Sequence, residues 1–142
     1  MSASAGGLTT IRRMLAALFV LGSAGTAAEL VLMEHTEGVW QNVPLALIGL
    51  GLAGFAAFAG KRSAMPRRAF HVVLGLFVVS GIAGVLLHYQ GNSAFELELN
   101  PEAGGVELFW ESMKGATPAL APGTMILLGV LGFSYSRITE LE

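Results

Sequence analysis

The chain of 142 residues contains no cysteine and no aspartate, and only 13% of it is charged. Without cysteine there are no disulfides, no thiolate metal ligands and no thiol nucleophile. Without aspartate every side-chain carboxylate is a glutamate. Globular domains carry about 25% charged residues, so the shortage of charge points to lipid rather than water as the surrounding medium. There is no basic surplus either. The net charge is -2, which offers nucleic acid no electrostatic attraction.

Apolar residues stand where the charges are missing. They make up 54% of the chain, and the mean hydropathy is +0.66. Glycine is abundant at 19 residues, as membrane helices tolerate. Four apolar runs follow one another, at 14–33, 43–59, 69–87 and about 119–135. A membrane-crossing helix needs about 20 apolar residues, with about 17 as the lower bound. The first and third runs satisfy this easily, and the second and fourth lie near the bound. No period-two alternation is long enough for a membrane barrel. Helices are expected at about 12–33, 43–59, 68–88 and 119–136, with a loop at 89–118. The expected fold is all-α, a single four-helix transmembrane bundle with a structured extracytoplasmic loop that holds a short amphipathic helix.

The charges sort by side. Arg12 and Arg13 precede the first run, Lys61, Arg62, Arg67 and Arg68 separate the second from the third, and Arg137 follows the fourth. Glu34, Glu37, Glu96, Glu98, Glu102, Glu107 and Glu111 fall in the alternate loops. Lys and Arg near helix ends remain on the cytoplasmic side. Seven of the eight cations obey one orientation, and only Lys114 departs from it. Both termini are therefore expected to be cytoplasmic in a bacterial inner membrane. The first run, with Arg12-Arg13 ahead of it and Ser23 to Ala28 inside it, also has the make-up of a secretory signal peptide. Its apolar character continues through Leu30-Val31-Leu32-Met33, so it is expected to remain as an anchor.

Small residues recur at four-residue spacing: Gly49, Ala53 and Ala57; Ser80 and Gly84; Gly22 and Thr26. In lipid, small residues let helix backbones approach closely. Ser23, Ser80 and Thr26 have no base near them in sequence and read as hydrogen-bonders within or between helices. In the long loop, Phe95-Glu96-Leu97-Glu98-Leu99 alternates and predicts an extended stretch. Val106, Phe109, Trp110 and Met113 recur at i, i+3, i+4 and i+7, the spacing of an amphipathic helix. These four residues are the expected partner-binding surface, packed on protein together with Phe95, Leu97 and Leu99. Trp40 and Tyr135 fall where aromatic belts occur.

Few residues offer chemistry. Glu29 is the one carboxylate within an apolar run, about a turn from its outer end, and intramembrane ionisable groups are costly. His35 and His88 end the first and third runs on the same side as Glu29, so Glu29, His35 and His88 are candidate ligands for a divalent metal. His71 and His88 are candidate axial ligands for haem or chlorophyll. They are 17 residues apart, roughly 25 Å along a helix, so they could not serve one macrocycle together. No metalloprotease motif and no phosphate loop occurs. The leading expectation is a non-catalytic accessory subunit of a larger membrane complex, photosynthetic or respiratory in kind, whose partners are the bilayer and other membrane subunits or further copies of itself. The alternatives are a cofactor or metal binder using His88, His35 and Glu29, and a small proton-coupled transporter built on Glu29. The cofactor, if any, is not identified by these residues.

Overall fold

The computed structural model describes residues 2–34, 38–115, 117 and 120–141, with side chains from residue 6 onward. It is all-α, with five helices: α1 (Ser2–Leu32), α2 (Val39–Gly60), α3 (Ala64–Leu99), α4 (Gly105–Lys114) and α5 (Gly123–Leu141). Three of them, Gly6–Leu32 within α1, α2 and α3, are long and apolar enough to cross a membrane. With α5, they close a ring in which α1 packs on α2 and α5, and α3 packs on α2 and α5.

Neighbours in the ring run antiparallel. Arg67 meets Glu140, His71 meets Ser136, and Gly81 and Gly84 lie against Ile126 and Pro122. Residue numbers thus rise on α3 as they fall on α5. The same opposition relates Gly51 and Gly54 on α2 to Phe77 and Phe70 on α3. The core between the four helices is aromatic. Phe19 of α1 has its ring centroid 5.5 Å from Phe55 of α2 and 5.6 Å from Phe70 of α3, Tyr135 of α5 lies 4.9 Å from Phe55, Phe58 of α2 lies 6.2 Å from Phe70, and Phe77 lies 6.3 Å from Phe19. Offset and edge-on pairs of this kind add about 0.5–1.5 kcal/mol each beyond area burial.

Glycine admits this packing, at positions that differ in part from the expected rows. On α2, Gly49, Ala53 and Ala57 are exposed, and it is Gly51 that touches a ring: a Cβ there would come within 2.6 Å of Phe77. Gly22 and Gly84 do face neighbours, Leu128 and Pro122. Gly129 and Gly132 of α5 admit Val78 and Leu74 of α3. The reason is rotation. Residues at i and i+4 share a helix face, but their spacing does not say which face is inside. Ser23, expected to bond within or between helices, is fully buried, and its hydroxyl has no partner among the described residues.

Most helix ends overrun their expected bounds, in three places for a visible reason, whereas α5 begins at Gly123 rather than at 119 and α1 stops at Leu32. α2 starts at Val39 rather than at 43, because Gln41 accepts a 2.9 Å hydrogen bond from the Gly38 N–H and closes the first turn ahead of Pro44. Arg67 and Arg68 belong to the first turns of α3, with Pro66 in a first-turn position that needs no N–H partner. At its other end α3 does not stop near 88. It runs to Leu99, so 95–99 is helical rather than extended, and the loop expected at 89–118 begins eleven residues later. No proline intervenes before Pro101, which disfavours helical geometry at Asn100, where φ is -137° and the helix ends. α1 in turn begins at Ser2, well ahead of Arg12.

Candidate functional site

Side-chain chemistry concentrates at the two ends of the bundle. At the basic end, α3 and α5 are tied by polar contacts one turn apart. Glu140 accepts from Arg67 across the helix pair, and from Arg137 at 3.3 Å on its own helix. Desolvation pushes the Glu140 carboxyl up, but the hydrogen bonds and charges of Arg67 and then Arg137 outweigh it and hold the carboxyl below its ordinary value. One turn inward, a His71 ring nitrogen lies 2.7 Å from Ser136 Oγ, and the imidazole leans on Phe133 at 5.3 Å between centroids. A histidine beside a serine has the spacing of a base with its nucleophile. Ser136 is only 1% exposed, enclosed between helices, so the pair here is a polar cross-link. Phe58, Ser63, Arg67, Thr139 and Glu140 border a shallow cleft over this end.

The opposite end is built by the overrun of α3. α4 crosses α3 just beyond His88, where Tyr89 and Phe109 have ring centroids 5.9 Å apart. Asn92, 3% exposed, holds the crossing. Its amide nitrogen donates to the carbonyls of Ser112 and Thr117 at 2.9 and 2.7 Å. Its amide oxygen accepts from the Thr117 hydroxyl at 2.6 Å and from the Thr117 N–H at 3.3 Å. A buried amide satisfied on both its ends is directional, so it specifies one docking of the segment after α4. Gly115 is required there, since a Cβ would come within 2.6 Å of the Asn92 amide.

The expected partner surface is on α4, but this chain covers little of it. Val106, Phe109 and Trp110 are 83%, 48% and 59% exposed, and Met113 is half-buried. Phe95, Leu97 and Leu99 of α3 are exposed too, so they form no shared core with α4. The buried α4 residue is Ser112, whose hydroxyl donates 2.6 Å back to the Leu108 carbonyl.

The candidate metal and macrocycle ligands are scattered. Glu29 is exposed on α1 and His88 is half-buried on α3, while His35 lies outside the described residues. Among the described residues no three His or Glu side chains gather into a metal-sized group. His71 is committed to Ser136. Asn92, Thr117, Ser136 and Glu140 were not singled out by sequence reasoning. Only Asn92 left a trace there, as a strongly polar side chain soon after an apolar run. Compared with known protein families, characterised proteins and solved structures, the chain matches none.

Proposed function

We propose that this protein is a non-catalytic, multi-pass subunit of a bacterial inner membrane, and that it packs against other membrane subunits through α4 and the overrun of α3. In this reading α5 is the fourth crossing helix, both termini are cytoplasmic, and α4 lies on the extracytoplasmic side. Large apolar side chains face outward all along the bundle, among them Leu18, Leu21, Val72, Leu76, Val79, Leu127 and Val130. Water would penalise such a surface, and lipid accepts it. α5 carries Arg137 and Glu140 and is less apolar than its neighbours, but it holds more buried residues than any of them, and a helix shielded by others need not match lipid itself.

The observation that carries the subunit reading is the exposed aromatic surface of α4 beyond the ends of the apolar runs. Burying a large apolar side chain is worth about 1.5–3 kcal/mol, and aromatic residues are the usual anchors of protein interfaces. Purification of the tagged chain in mild detergent tests this. Stoichiometric membrane proteins should come with it, and the double variant Phe109→Ala with Trp110→Ala should lose them while reaching the membrane at normal levels. A chain that purifies alone, at the mass of a monomer, defeats the reading. Metal analysis and an absorbance spectrum of the same preparation test the rival, a cofactor held by His88, His35 and Glu29.

A further inference from the structure

At the basic end, between α1 and α5, lies a groove of about 470 Å³ that is open along one side. It is lined by Ile11, Leu15, Phe133, Ser134, Arg137 and Ile138. The lining is graded. Arg137 is the one charged residue of the lining and stands across from Ile11, so the mouth is cationic. Leu15 and Phe133 lie one turn deeper and are apolar. Arg137 has a side chain 75% exposed. It shares Glu140 with Arg67, so two guanidinium charges face one carboxylate and a positive charge remains. A wide-open apolar depression with a cation at its mouth, at the end of the apolar runs, matches an amphiphile with an anionic head and a hydrocarbon tail. Basic pockets between membrane helices on the cytoplasmic side bind acidic phospholipid headgroups in this manner.

We infer that the α1–α5 groove is a binding site for an anionic phospholipid of the cytoplasmic leaflet, with one acyl chain between Leu15 and Phe133 and the headgroup phosphate on Arg137. This rests on the membrane placement proposed above, but not on the partner surface at α4. The guanidinium supplies planar, paired N–H donors suited to a phosphate, and the Ser134 hydroxyl already donates to the Val130 carbonyl at 2.8 Å, so it remains able only to accept. Selectivity for charge therefore falls to Arg137.

Native mass spectrometry of the full chain in mild detergent tests the site, with dioleoyl phosphatidylglycerol and dioleoyl phosphatidylcholine as probes. Phosphatidylglycerol should be retained at about fivefold lower concentration, the ratio that ~1 kcal/mol per cation near an acidic headgroup provides. Arg137→Gln should abolish that preference, and Ile11→Trp, which fills the mouth from an exposed position, should weaken retention of both lipids. Inorganic phosphate at millimolar concentration should not displace the lipid. Equal retention of the two lipids by the parent chain overturns the site. So does a preference that survives Arg137→Gln, or retention that survives Ile11→Trp, and displacement by phosphate alone would make this a free-anion site instead. Loss of α4 partners has no bearing on any of these readings, so the two proposals fail separately.

Discussion

Single polar atoms in this protein are worth more than their number suggests, because most of its interior contains none. Ser23 buries a hydroxyl with no partner among the described residues, and an unsatisfied buried group costs about 1–3 kcal/mol. Ser23→Ala should therefore leave the bundle as stable or more so, read as an unchanged or raised midpoint in thermal unfolding in detergent. A lowered midpoint would mean that the hydroxyl has a bond. Asn92 is the opposite case, satisfied at both ends. Asn92→Ala should cost about 1–3 kcal/mol, felt locally as faster hydrogen exchange in α4 and the segment after it, with α1 and α2 unaffected. Glu140 responds to pH. Its carboxyl is held below the ordinary value when folded, so its contribution is complete above the unfolded value of about 4.3. It is lost as pH falls through the lower folded value. The tie between α3 and α5 should hold at pH 7 and loosen only in acid. Melting curves at pH 7 and pH 3.5 check this, and in Glu140→Gln that part of the difference should vanish.

At the scale of elements, helix pairs in lipid gain no hydrophobic drive from meeting, and close packing has to hold them together. The glycines that admit a neighbour should then be sharply distinguished from those that do not. At Gly81 a Cβ would lie 2.9 Å from backbone atoms of Ile126 and Pro122, whereas Gly49 has nothing within 4 Å. Gly81→Leu should separate α3 from α5 at a cost of about 1–3 kcal/mol or more, and Gly49→Leu should be nearly silent. Detergent unfolding of the two variants side by side is the measurement, and equal effects would refute the packing. α3 shows how an element outgrows its pattern. Phe95, Leu97 and Leu99 alternate with glutamates, as in a strand, yet they are exposed, and Tyr89 and Asn92, three apart on one helical face, meet α4. A strand at 95–99 would have needed a partner strand for its backbone groups, and continuing the helix satisfies them internally.

For the whole molecule, the proposed orientation follows from the placement of charge. Arg12, Arg13, Lys61, Arg62, Arg67, Arg68 and Arg137 gather at one end of the antiparallel ring, whereas Glu34, Glu96, Glu98, Glu102, Glu107 and Glu111 belong to the other. The chain has no native cysteine to give background. Glu102→Cys should react with an impermeant thiol reagent added to intact cells, and Ser63→Cys should react only after the membrane is opened. The reverse pattern would invert the topology, and reaction of both in intact cells would remove the membrane altogether.

The sequence by itself determined that the chain is helical, where its long apolar helices run and how its charges segregate, because these depend on composition and on spacing along one segment. Residues 43–59 and 69–87, and all of 14–33 except Met33, each lie within a helix long and apolar enough to cross a membrane. The amphipathic spacing of Val106, Phe109, Trp110 and Met113 likewise lies within α4. Only the tertiary structure decided which glycines touch, that Ser136 faces His71, that Asn92 clasps Thr117 and that α3 continues to Leu99. The reason is physical. A four-residue spacing defines a face of a helix without saying what that face meets, and hydrogen bonds between residues 25 or 65 positions apart, as in Asn92–Thr117 and His71–Ser136, exist only once helices have been set side by side.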